Sequence, residues 1–269
     1  MEAVRYAIVD GAVEDELLAF LEKVNPPHCC LYAEPIQPDL VALAPYLVEV
    51  TPDVEAWLGV KDTPWGIFLT ASSSMNGLRQ HLRKYLQVVI PDETKPVLFR
   101  FYDPRNIWDF LSVLSAWEKY LFLGPSDTLT THWRNELQSE NFSALKGIFS
   151  TDGAVRQKMM RISRSQMESL TQIFEQRYIA GLTEKINFWG GLPENIHQRN
   201  ISDTFHWLRA QGITDDRSIR GLFYLFYQRG CLTVDAIPAD FRAILSDINE
   251  EGVFKAETLL IRELGDIPL

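Results

Sequence analysis

The chain has 269 residues, 46% of them hydrophobic and 23% charged, an ordinary globular usage that excludes extended disorder. Its 26 Lys and Arg against 36 Asp and Glu leave a net charge of −10, concentrated in the first 150 residues. Nucleic acid and anionic membranes are therefore poor candidates as partners, because contact with phosphate needs clustered cations.

Taken in chain order, the opening residues carry no basic stretch ahead of an apolar core, so no secretion leader is expected. No window approaches the roughly 18 uninterrupted apolar residues of a membrane span. Residues 6–9 form a β-prone run ending at Asp10-Gly11. Val13, Leu17, Leu18, Leu21 and Val24 then predict a helix over 13–24. Cys29 and Cys30 open a second apolar run. Being adjacent, they cannot form an ordinary bridge, and with Cys231 the count is odd. This is no disulfide framework, and it fits a reducing, cytoplasmic setting. Further runs follow at 46–50 and 65–70, bounded by prolines. Ser72, Ser73 and Ser74 introduce a helix with Met75, Leu78, Leu82, Tyr85 and Leu86 on one face. A fifth run, 97–102, leads through Asp103-Pro104-Arg105 into an apolar helix over about 105–122, on which Trp108 and Trp117 read as core.

Short strands separated by helical patterns predict βαβ units. Residues 1–125 are therefore expected to form a lobe of α/β or α+β class, a mostly parallel sheet flanked by helices. Residues 126–164, polar and weakly periodic, read as a connector with short helices at most; it contains the basic run Arg156, Lys158, Arg161 and Arg164.

From 165 to 269 helical spacing takes over and predicts an α-helical bundle lobe. Ser165 and Glu168 have the spacing of a capping box ahead of a stripe formed by Met167, Leu170, Phe174, Tyr178, Leu182 and Ile186. Further helices are expected from Pro193 to Ala210, from Thr214 or Asp215 onward, from Pro238, and over about 253–264.

The usual signatures of chemistry are missing: no phosphate-cradling loop, dinucleotide fingerprint, nucleophile elbow or zinc-protease motif. The five histidines are scattered, and neither a metal nor a cofactor is expected. One constellation needs weighing. A parallel sheet gathers the ends of its strands at one edge. Asp10, Ser72, Ser73, Ser74 and Asp103 would meet there, with Arg100 and Arg105 close by and His81 one helix along. A hydrolase could draw a Ser/His/Asp set from these residues. The structural reading is favoured: the serines and Asp103 cap helices, Pro104 takes a first helical position, and Arg100, placed inside a central strand, pairs with Asp10 or Asp103. In the second half Trp189, Trp207, Tyr224 and Tyr227 are candidate partner-binding residues, since residues 222–227 are apolar all round their helix and aromatic anchors dominate protein interfaces.

Several motifs carry a resemblance. They are Tyr6-Ala7-Ile8-Val9-Asp10-Gly11-Ala12, His28-Cys29-Cys30-Leu31-Tyr32, Trp65-Gly66-Ile67-Phe68-Leu69 and, most specific, Val97-Leu98-Phe99-Arg100-Phe101-Tyr102-Asp103-Pro104-Arg105 followed by Phe122-Leu123-Gly124-Pro125. In order and spacing, residues 6–125 resemble the type VI secretion adaptor or chaperone family. The helical half resembles it more loosely, through Ala210-Gln211-Gly212-Ile213. The resemblance implies a bacterial, cytoplasmic, non-enzymatic protein. It would bind a secreted toxin effector and help load it onto the valine-glycine repeat spike protein, VgrG, without being exported itself.

Overall fold

The structure is a computed structural model, and it describes residues 3–149, 159–194 and 196–266. The chain divides into two compact units, residues 1–170 and 171–269.

The first unit is built in the order β1 (Val4–Asp10), α1 (Leu17–Val24), β2 (His28–Cys30), α2 (Pro38–Val41), β3 (Pro45–Glu49), α3 (Pro52–Gly59), β4 (Gly66–Ala71) and α4 (Met75–Leu82). A short ribbon, β5 (Gln87–Val88) and β6 (Val97–Leu98), precedes α5 (Ile107–Ser112) and α6 (Ala116–Leu123). A hairpin, β7 (Ser126–Trp133) and β8 (Glu136–Asn141), and then α7 (Ser143–Ile148) follow. Six strands form one sheet in the order β2-β3-β1-β4-β7-β8, and every ladder in it is antiparallel.

The parallel sheet expected from the sequence is therefore wrong, for a definable reason. The helices do join strands of the same direction: α1 lies between β1 and β2, and α3 between β3 and β4. Each such pair is split by a strand running the other way, β3 in the first case and β1 in the second. Helical crossovers are present, yet no two parallel strands touch. Hydrophobicity could not reveal this. Along β1 the register sets Ala7 opposite Val48 and Phe68, and Ile8 opposite Leu47 and Ile67. Ala7 and Val9 face a core containing Leu17, Leu21, Val54 and Leu58 of α1 and α3. Tyr6 and Ile8 face the opposite core, with Leu78, Leu82, Phe110 and Phe122 of α4, α5 and α6. A strand buried on both faces reads as a continuous apolar run, the pattern of a parallel sheet.

The supposed connector contributes two strands. β7 pairs with β4, and β8 pairs with β7 around the residues Arg134 and Asn135, both with positive φ as a tight hairpin turn requires. β8 is exposed along its whole length, and its two glutamates, Glu136 and Glu140, blunt this open edge against further pairing. Residues 150–158, including Arg156 and Lys158 of the basic run, lie outside the described residues. The helix expected over 105–122 is two: Ser115 caps α6 in a capping box with Glu118. Trp108 donates from Nε1 to Thr131 Oγ1 at 2.7 Å, tying α5 to β7, whereas Trp117 is exposed and stacks on Tyr120.

A long helix, α8 (Arg164–Trp189), carries the chain from the first unit into the second. Its cap differs by two residues from the expected box: Ser163 Oγ accepts from the Gln166 amide, and Gln166 Oε1 accepts from the Ser163 amide. The second unit continues with α9 (Gln198–Ala210), α10 (Asp216–Gln228), α11 (Ala239–Leu245) and α12 (Gly252–Leu264). Its core joins Leu182 and Ile186 of α8 to Phe205 and Leu208, Leu222, Phe223 and Phe226, and Leu259 and Leu260. Asp215 caps α10 by accepting from the Ser218 amide at 2.8 Å. Gly212, with φ +82, ends α9, and the amide of buried Ile213 reaches back to Leu208.

Candidate functional site

The antiparallel topology separates the constellation that a parallel sheet would have assembled. Ala71, the last residue of β4, pairs with Val4 at the start of β1, so Ser72 leaves the sheet at the end opposite Asp10. Six residues of strand separate those ends, about 20 Å. The proposed members are also engaged elsewhere. Ser74 caps α4 by accepting from the Gly77 amide, and Ser72 donates to Asp127. His81 Nε2 donates to the Phe122 carbonyl at 2.8 Å. Burial lowers the His81 pKa, opposing that bond, with the Lys84 charge acting in the same direction as burial. The ring also rests on Gly124, where a Cβ would overlap the imidazole; the positive φ of +54 there independently favours glycine.

Asp10, Arg100, Asp103, Pro104 and Arg105 do come together, as two aspartates with matching arrangements. Asp10 Oδ1 accepts from the Ala12 amide at 3.0 Å, and its Oδ2 accepts from Arg100. Asp103 Oδ1 accepts from the Arg105 amide at 3.0 Å and from Arg105 Nε at 2.9 Å, while its Oδ2 accepts from the second guanidinium nitrogen at 2.7 Å. Each carboxylate thus closes a local turn with one oxygen and holds an arginine with the other. Burial works against the charge on Arg100, but the Asp10 carboxylate outweighs it and raises the pKa. For Arg105 the bonds to Asp103 raise it.

Two expectations need correction here. Arg100 is not inside a central strand: β6 ends at Leu98, in the small ribbon, and the Arg100 side chain is partly exposed. Asp103 does not cap α5. The residue at that position is Asn106, and Pro104 is buried in the preceding turn rather than in the helix. Tyr102 is fully buried beside the pair, close to Tyr32. Its phenol is pushed far up, first by burial and then by the Asp10 charge, so it stays protonated and able to donate.

Tyr32 leads to a feature the sequence did not disclose. A groove of about 730 Å³ runs between the segment after β2 and the β5–β6 ribbon. Its apolar lining includes Leu31, Ile36, Leu40, Leu86, Leu98 and Met159. Leu31 and Leu86 are buried, whereas Leu40, Leu98 and Met159 are 41%, 57% and 43% exposed. Two cations, Arg83 and Lys84, border it, and among the described residues its lining contains no acidic one. These residues come from separate segments, each too short and mixed to show a period; only an exposed leucine in a ribbon could have been noticed. Cys29 and Cys30 sit nearby, half-buried, and burial pushes both thiols up.

In the helical unit, Trp189 packs against Tyr224 at 5.2 Å and Tyr227 at 5.7 Å between ring centroids. A Cβ at Gly190, whose φ is +147, would overlap the Tyr227 hydroxyl. These three rings are half-buried. Trp207, also half-buried, packs on the same helical core. The neighbouring Leu222, Phe223, Leu225 and Phe226 are fully buried, so the over-apolar helix is mostly core. Among the described residues no group of three or more His, Cys, Asp or Glu could hold a metal ion, and no helix is long and apolar enough to cross a membrane.

No curated protein matches the chain, and no solved structure does. Residues 5–120, less than half of the chain but most of the six-stranded unit, match the family model described as domain of unknown function DUF4123.

Proposed function

We propose that this chain is a non-enzymatic adaptor or chaperone of type VI secretion. In the bacterial cytoplasm it binds a toxin effector and helps load it onto the VgrG spike protein. The observation that carries this reading is the match over residues 5–120, which coincides with the stretch whose motifs resemble that adaptor family. The geometry is compatible with it. The family-like motif from Val97 to Arg105 is spent on a structural latch, and the strand-end serines lie at the opposite end of the sheet from Asp10. The same unit offers an open apolar groove of the kind that receives a protein segment. Neither nucleic acid nor membrane is expected among the partners of a chain of net charge −10.

The test is deletion of the gene in its host, with secretion of the toxins encoded beside VgrG genes followed by immunoblot. Loss of one toxin from the medium, restored by the plasmid-borne gene, together with co-purification of that toxin with this chain, is the expected result. Unchanged secretion of all of them would overturn the reading.

A further inference from the structure

We propose that the groove of the first unit is a docking site for a segment of a partner protein in which apolar side chains are flanked by carboxylates. The inference takes from the adaptor reading only that the partner is a protein; the chemistry of the segment comes from the groove itself.

Three observations define that chemistry. First, Leu40, Leu98 and Met159 line the groove while remaining 41–57% exposed, over a floor made by buried Leu31 and Leu86. Half-exposed apolar side chains around a buried floor form a surface that a partner's side chains can dry. Second, Arg83 and Lys84 stand at this groove without a carboxylate partner among the described residues, although most other cations close by are paired: Arg79 with Glu34, Arg100 with Asp10, and Arg105 with Asp103. Two cations with no partner and no lining acid among the described residues, in a unit whose balance is acidic, select an anionic partner and repel a basic one. Third, the groove is open to solvent at Leu40, Leu98 and Met159 and is bordered by the polar side chains of Gln37 and Gln87. An alkyl tail needs near-complete enclosure to be held, whereas a peptide can keep one face in water and hydrogen-bond these amides.

Tyr32, on the groove wall, packs against the core of the unit close to Tyr102 and the Asp10–Arg100 pair. A preformed groove lowers the ordering cost of binding.

The experiment uses the full chain and two fluorescein-labelled synthetic peptides with the same leucine-rich centre, one flanked by glutamates and one by lysines, read by fluorescence anisotropy. The glutamate peptide should bind about tenfold or more tightly than the lysine peptide, with an affinity that falls as salt rises. The paired charge reversal Arg83→Glu/Lys84→Glu should invert this preference. Leu98→Ser, at an exposed position and with the fold checked by circular dichroism, should weaken both peptides about tenfold or more. No binding of the glutamate peptide, equal binding of the two peptides, or a preference unmoved by charge reversal would overturn the proposal. So would displacement of the peptide by dodecanoate at equal concentration.

Effector capture by the same variants separates the two claims. Capture without peptide binding would sink the groove proposal and leave the adaptor reading standing. Peptide binding without capture of any effector would do the reverse.

Discussion

Arg100 donates to the carboxylate of Asp10, a residue ninety positions earlier at the end of a central strand. The pair clips the turn over 100–105 to the middle of the sheet. The Asp10 side chain is 2% exposed and that of Arg100 39%, so the carboxylate depends on the arginine more than the arginine on it. Arg100→Ala should destabilise the first unit by about 2 kcal/mol, below the 3–5 kcal/mol of a fully buried pair, because water reaches part of the vacated site. Urea unfolding followed by circular dichroism measures this. Stability equal to the parent would show that the latch does not hold the unit.

His81 gives the unit a pH dependence of known sign. Its pKa is lowered by burial, so the unfolded chain takes up the proton more readily than the folded one. The contribution of neutral His81 is fully present above the ordinary value near 6.5. It declines as pH falls below that value, until the folded group also titrates. Thermal melts from pH 7.5 to 5 should show a falling Tm, and His81→Gln should remove part of that slope. Parallel slopes for parent and variant would exclude His81 as the cause.

Gly190→Ala tests the aromatic cluster of the helical unit. The new methyl group would meet the Tyr227 hydroxyl at a backbone conformation that side chains rarely adopt. A loss of about 1–3 kcal/mol is expected, with a change in tryptophan emission as Trp189 shifts. An unchanged emission maximum and melting temperature would show that the cluster yields freely.

Replacing Tyr224 and Tyr227 together by Ala removes both rings from Trp189. Helical content should persist, since Leu222, Phe223 and Phe226 hold α10 in the core. Effector capture should fall about tenfold or more if the newly loosened Trp189 face is an anchor for the partner. Full capture by the folded double variant would remove Trp189, Tyr224 and Tyr227 from the binding surface.

Much of the helical unit was legible in the sequence because its signals are local. Asp215 ahead of α10, Pro238 ahead of α11 and Gly212 after α9 act within a turn of where they stand. Even the misplaced capping box was wrong by only two residues, with Ser163 and Gln166 taking the parts expected of Ser165 and Glu168. The strands of the first unit were likewise found where apolar runs lie. The exceptions are the two-residue β5, which follows directly on the helical face ending at Leu86, and β7 and β8, whose outward faces are polar, so that no apolar run marks them.

Composition, the run of apolar segments and the caps by themselves determined that an acidic chain forms a strand-and-helix half followed by a helical half. Strand direction, the partner chosen by Arg100, the separation of Ser72 from Asp10 and the existence of the groove were decided only by the tertiary structure. The reason is physical. Periodicity records which faces are buried, and β1 is buried on both, so its pattern is the same whether its neighbours run with it or against it. The groove is assembled from residues as far apart as Leu31 and Met159, whose proximity no local spacing encodes.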